Sequence, residues 1–268
     1  MTEKICPGGS TPDPNIIWCD DFEDGDWTDT WDVNNYQPQN GVECGNRGYK
    51  DNCCLCSGLF GGPDANGGYS ARTGSYWFWG NHSEIYFRWY TRVSDPFIWG
   101  NDESNMTFHD GPSGMVNLNK WGTLKPMIQV AANDTAYGHS GANLYQNQGN
   151  DITLIAGHWY LFEWHMKINT VGVEDGIEEL WVDDVTLNPS ITKATQTLRV
   201  RYTNVNLLYP GRETERINDI WVTAYHSQNN PGNNIVYWDN IVVSKSRIGP
   251  TNQSSCPPVT ASFNLQVI

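Results

Sequence analysis

Four residues carry side chains suited to moving a proton beside a bound anion: Arg88, Tyr90, Lys125 and His165. A guanidinium or ammonium can neutralise a carboxylate, and a phenol or imidazole can take a proton from carbon. Tyr86, Gln129, Trp159, Lys167, Trp221 and Tyr225 have the chemistry to surround them. Aromatic rings cover the flat apolar faces of sugars, while Arg, Gln and His bond sugar hydroxyls. Polar groups that converge among aromatics are the usual signature of a ligand groove. All of these positions fall on the mixed faces of expected strands, so a single open face carrying them would hold a glycan. The plainer reading is the wet face of an antiparallel sheet.

A second constellation is acidic. Asp21, Glu23 and Asp239 lie in the stretches DDFEDG near the start and YWDNI near the end. Calcium takes about six to eight oxygens from carboxylates and backbone carbonyls. First and last strands of a two-sheet domain lie near each other, so these carboxylates could converge on such an ion. The alternative is an acidic surface turn and an aspartate that caps a strand.

A third is sulfur. Cys6, Cys19, Cys44, Cys53, Cys54, Cys56 and Cys256 cluster toward the two ends, among Gly, Asn and Asp. That distribution reads as disulfides stapling irregular segments in an oxidising compartment, with an odd thiol left over. A zinc knuckle built on Cys44, Cys53, Cys54 and Cys56 is the rival, but Cys53 and Cys56 form a single C-x-x-C without a second pair.

The elements that position these residues are strands. In HWYLFEWHMKIN, Tyr160, Phe162, Trp164, Met166 and Ile168 alternate with Trp159, Leu161, Glu163, His165 and Lys167. Period two makes this a strand with one apolar face. Turn residues follow to Gly176, and Ile177 to Val182 returns as the second arm of a hairpin. Glu84 to Val93 alternates Ile85, Phe87, Trp89, Thr91 and Val93 against Tyr86, Arg88, Tyr90 and Arg92. Further strands are expected at 17–22, 69–74, 124–131, 197–207, 219–226 and 235–244, the last with Tyr237, Ile241 and Val243 inward. Residues 1–16 read as an extended lead-in and 17–250 as the domain. Within it, 28–68 is expected as a cysteine-rich excursion outside the sheet, and 94–117 and 132–150 as loops. No amphipathic helix or internal repeat appears.

Composition sets the class. The chain has 268 residues with 13 Trp, 13 Tyr, 8 Phe and 26 Gly, which suits a β-sandwich of two antiparallel sheets. A net charge of −14 argues against a nucleic-acid partner, which demands clustered Lys and Arg. No apolar window is long enough for a membrane span. No signal peptide follows Met1, yet the cysteines and sequons at Asn81, Asn105, Asn133 and Asn252 suggest an extracellular or cell-surface protein.

DDFEDG at the start, YWDNIVVS at the end and WYLFEWHMKINTVGVEDGIEELWVDD between them resemble the concanavalin A-like jelly-roll superfamily over roughly residues 17–245. The nearest branches are laminin G-like modules and polysaccharide lyases of the alginate and glucuronan lyase type. The resemblance implies a two-sheet antiparallel jelly roll. It implies a structural calcium held by Glu23 and Asp239 with Asp21 as helper, and a concave sheet that holds a glycan. The lyase motifs R-[ST]-E-L and Q-[IV]-H are not met: Ala71-Arg72-Thr73-Gly74 lacks the acidic and apolar finish, and Ala131 stands where the His would follow Gln129-Val130.

Three functions follow as expectations. The first is carbohydrate recognition by Tyr86, Arg88, Tyr90, Gln129, Trp159, Trp221 and Tyr225. The second is a polysaccharide lyase working by β-elimination. The third is a structural subunit of an extracellular filament. The last rests on Val259 to Ile268, an alternating apolar stretch within residues 251–268. It can fold back on its own sheet with Cys256 tied to Cys6, pair as a donor strand with another copy, or lead as a linker into a further module.

Overall fold

The computed structural model describes residues 13–26, 40–50, 53–58, 69–100, 102–108, 113–120, 124, 126–131, 144–148, 152–206, 208, 213–214, 216–226 and 234–250. The described elements are all strands, in two antiparallel sheets. In chain order they are β1 (Ile16–Asp20), β2 (Asn40–Glu43), β3 (Cys54–Gly58), β4 (Tyr69–His82), β5 (Glu84–Val93), β6 (Asp102–Phe108) and β7 (Ser113–Lys120). They continue with β8 (Met127–Ala131), β9 (Leu144–Gln148), β10 (Tyr160–Lys167), β11 (Gly176–Asp184), β12 (Leu198–Val205), β13 (Ile217–His226) and β14 (Ile235–Ser244).

The eight-stranded sheet runs β12-β11-β10-β5-β14-β3-β2, with β1 also on β14. The six-stranded sheet runs β4-β13-β6-β7-β8-β9. The expected hairpin sits at the heart of the larger sheet: Trp164 pairs with Leu180 on one side and Phe87 on the other. The core lies between the sheets. Ile85, Phe87, Trp89, Phe162, Trp164, Leu180 and Trp238 meet Val116, Ile128, Ile220 and Val222 there.

Alternation fails at one instructive place. Val236 and Trp238 face the core, and so do Ile241 and Val243, an odd number of residues later. A bulge between Asp239 and Val242, with Asn240 at φ 48°, resets the phase. Tyr237, expected inward, therefore lies on the outer face, as does Asp239.

Three expected loops contain strands. Segment 28–68 supplies β2 and β3, which extend the larger sheet beyond β14. Segment 94–117 holds β6 and most of β7, and 132–150 holds β9. These strands are short or rich in Asn, Ser and Gly. Their identity comes from pairing with neighbours rather than from intrinsic preference. The apolar stretch 259–268 lies outside the described residues.

Candidate functional site

The outer face of the eight-stranded sheet carries most of the residues expected to meet a glycan or do chemistry, and it is covered. Tyr90 is 0 % exposed, Arg88 1 %, His165 4 % and Trp159 8 %. Tyr49 stacks on Tyr90 at 4.2 Å between centroids. Arg88 lies 5.3 Å from the centre of the Tyr90 ring. Glu163, fully buried, accepts the backbone N–H groups of Ile248 and Gly249 at 2.5 and 3.0 Å, so the segment after β14 crosses this face. Arg247 stacks over Trp181 at 4.3 Å.

His165 sits in a row of charges spanning four strands. Its Nδ1 lies 2.8 Å from Glu179 and its Nε2 3.0 Å from Glu84. Glu179 in turn accepts Arg201 Nε at 2.6 Å. A neutral imidazole donates through one nitrogen only and an imidazolium through both. Tyr86 stacks flat on the ring at 4.1 Å. Burial, and then Glu84, push its phenol up to about 12, which makes it a poor base near neutrality. The row ties β5, β10, β11 and β12 together across the outer face. Lys125 lies outside the described residues.

The acidic residues gather where β1 ends against β14, with Asp20 opposite Ile241. Their carboxylates are engaged in holding the chain. Asp21 Oδ1 accepts the N–H of Glu23 at 3.2 Å, and Asp20 Oδ1 that of Phe22 at 3.0 Å. Glu23 accepts the N–H of Cys53 at 2.6 Å, and Asp239 that of Tyr49 at 2.5 Å. Oxygen donors of this kind suit calcium, but among the described residues no three Asp, Glu, His or Cys side chains come together round one point.

Sulfur divides into two groups. Cys44 is bonded to Cys53, and Cys19 is also disulfide-bonded. Cys54 and Cys56, expected in disulfides, are free buried thiols. They stand two apart on one strand and pack in the same outer cluster, each opposite a residue of β2 that is not cysteine. Cys6 and Cys256 lie outside the described residues. Of the sequons, Asn81 is exposed at the end of β4 and Asn105 lies in β6, while Asn133 and Asn252 fall outside.

The remaining expected residues are on the other sheet. Gln129 belongs to β8, and Trp221 and Tyr225 to β13, so they cannot share a groove with Tyr90 or Trp159. Register places them in two rows that cross the whole six-stranded sheet. One row reads Ser75, Trp221, Thr107, Met115, Gln129 and Gln146. The other reads Ser70, Tyr225, Ser104, Asn117, Met127 and Gln148. Directly opposed residues share a face. The row between them contains Val222, Val116 and Ile128, which are buried in the core, so the two rows occupy outer-face positions. At a strand spacing of about 4.8 Å each row is roughly 24 Å long. Arg72 stands opposite Thr223, beside the rows. Trp221 is half-buried and donates its ring N–H to Asp219 at 2.6 Å, which fixes the indole. Only Gln129, Trp221 and Tyr225 were legible as candidates in the sequence. The other row members carry no signal until register is known.

No family model matches the sequence, and a search of curated proteins finds no match. Solved structures do match. An endo-β-1,4-glucuronan lyase from the fungus Trichoderma reesei aligns with a TM-score of 0.59 at 16 % identity, over 84 % of this chain and 95 % of that one. Alginate lyase vAL-1 from Chlorella virus aligns with a TM-score of 0.58 at 13 % identity, over 87 % and 100 %. The fold is a concanavalin A-like jelly roll. The cellulose induced protein Cip1 aligns with a TM-score of 0.53 at 14 % identity, over 90 % of this jelly roll and 100 % of that chain.

Proposed function

We propose that this jelly roll binds a polysaccharide on the outer face of its six-stranded sheet, and that the preferred chain is uncharged. The observation that carries the reading is the pair of rows crossing that sheet. They supply hydroxyls and amides from Ser, Thr, Asn and Gln, together with Trp221 and Tyr225. The Lys and Arg residues of these six strands are Arg72 and Lys120 alone, and the chain as a whole is at −14, which disfavours an anionic polymer. Similarity to two lyases and to Cip1 supports a carbohydrate ligand in general. The exposed sequon at Asn81 and the disulfides support an extracellular setting.

The test is binding to a panel of neutral and uronate polysaccharides. Trp221→Ala and Tyr225→Ala weaken binding with little change in melting temperature. Tyr90→Ala and Trp159→Ala lower stability by ~3–5 kcal/mol, as for a buried aromatic, and leave the affinity of the folded protein unchanged. If Trp159→Ala rather than Trp221→Ala removes binding, the wrong sheet has been chosen.

The lyase alternative has one specific support, the Arg72 position beside the rows, where a guanidinium could neutralise a uronate carboxylate. Rising absorbance of an unsaturated product on alginate or glucuronan, lost in Arg72→Ala, would replace the binding reading with that one. A structural calcium at Asp21, Glu23 and Asp239 is a separate proposal resting on the resemblance, and the glycan reading does not depend on it.

A further inference from the structure

Residues 44–50, which follow β2, lie against a cluster that holds two thiols. Cys44 is tied to Cys53 by a disulfide. Between them Tyr49 lies on Tyr90 and leans on Trp159 at 6.1 Å. The Tyr49 N–H donates to Asp239, and the carbonyl of Arg47 accepts from the Cys54 thiol at 3.4 Å and from Arg92 Nη2 at 3.5 Å. Lys50 reaches the carbonyl of Pro189 at 3.3 Å. Underneath, Arg92 lies 4.9 Å from the Trp159 ring and 4.4 Å from that of Tyr237, and Cys54 and Cys56 pack into the same cluster. Burial pushes both thiols up, Cys56 to about 12. While covered they are neither thiolate nor reachable, and reactivity needs both.

This cover is held by the contacts just given and one covalent latch. It belongs to the outer face, apart from the core between the sheets. β14 pairs with β5 and β1 through backbone bonds that do not include residues 44–50. Local opening without global unfolding is therefore the expected response to loss of the latch. We propose that residues 44–50 are a disulfide-latched lid over a thiol-modification site. Reduction of Cys44–Cys53 opens Cys54 and Cys56 to thiol-reactive electrophiles while both sheets stay folded. A dithiol reductant supplies two electrons and two protons, leaves as its own disulfide, and returns Cys44 and Cys53 as thiols. Once solvated, Cys54 and Cys56 lose their protons to solvent. Each thiolate can then add to the C=C bond of a maleimide, whose other carbon takes a proton from water.

The experiment is maleimide labelling read by peptide mapping at Cys54 and Cys56, with near- and far-ultraviolet circular dichroism recorded in parallel. The Cys44→Ser/Cys53→Ser double variant, without reductant, removes the latch and spares the Cys19 disulfide. Expected is labelling of both residues at least about tenfold faster than in the wild type, with both spectra unchanged, as for a local opening. Should that variant fail to fold, a brief dithiol pulse on the folded wild type gives the same readout. Equal labelling rates in latched and unlatched protein would overturn the proposal. So would acceleration that appears only together with loss of the near-ultraviolet signal.

Discussion

Glu178 should make this protein less stable as the pH rises. Its position on β11 has the parity of Leu180 and Val182, so its carboxyl projects into the core opposite Met166. It is 0 % exposed. The ring N–H of Trp164 donates to Oε2 at 2.5 Å, and Oε1 has no hydrogen-bond partner among the described residues. Burial outweighs that single bond and holds the carboxyl well above its ordinary range. The folded state therefore keeps a proton that the unfolded chain gives up near pH ~4.3. The stabilisation linked to that proton is complete below the unfolded value and is lost as pH climbs toward the folded value. Within that window stability falls steadily as pH rises, on the order of 1 kcal/mol for each pH unit.

Glu178→Gln keeps the volume and an acceptor for Trp164 but cannot ionise. Urea unfolding of both proteins between about pH 5 and about pH 8 measures the difference between them. Titrations common to both cancel, including Asp183, also raised by burial, and Asp175, lowered by its bonds to Thr170. The variant should gain on the wild type steadily with pH. Parallel profiles would mean that Glu178 is ionised in the fold or solvated, and the argument from burial would fail.

Other outcomes follow from the same structure. Tyr49→Ala should lower the urea midpoint by an amount equivalent to about 2 kcal/mol, with no change in polysaccharide affinity. Gly249 has φ +80°, and a Cβ there would lie 2.6 Å from Lys193 Cβ. Gly249→Ala should therefore cost more than about 1 kcal/mol, read as a fall in melting temperature. If calcium is bound at Asp21, Glu23 and Asp239, chelation lowers the melting temperature and Asp239→Ala abolishes the difference; a melting curve indifferent to chelator removes the ion. If residues 259–268 pair with another copy, deleting 257–268 reduces the size in solution, and an unchanged sedimentation profile dismisses self-association.

The hairpin and β5 were legible because each has one face buried for its whole length. Their aromatic alternation survives in register, Tyr160 to Met166 against Ile85 to Thr91. β2, β3, β6 and β9 were not legible, since they are held by hydrogen-bonding neighbours and lack a sustained apolar alternation. The candidate residues were gathered on one face in the sequence, and fall on two sheets in the structure, for a related reason. Period two says that a residue faces away from the core, but not which sheet it is on. Tyr90 and Trp221 look alike in sequence, yet one lies under Tyr49 and the other is half-buried on the opposite sheet. The inward reading of Tyr237 failed at the Asp239–Asn240 bulge, where a residue of positive φ carries no marker in the local pattern.

β14 has β5 along one edge and two strands end to end along the other, β3 beside Ile235–Trp238 and β1 beside Ile241–Ser244. The last of the described strands to leave the ribosome is thus an interior strand of the larger sheet. Until it arrives, β1 and the β2–β3 hairpin lack their native neighbour in that sheet, and an edge of β5 stays unpaired. Closure joins residues more than 220 positions apart, Ile16 to Ser244, so loop closure must be met before these contacts reward it. The nascent chain has to carry an open, aromatic-rich sheet edge until β14 has emerged. In that interval a chaperone or a second chain competes with β14 for the same row of backbone donors and acceptors.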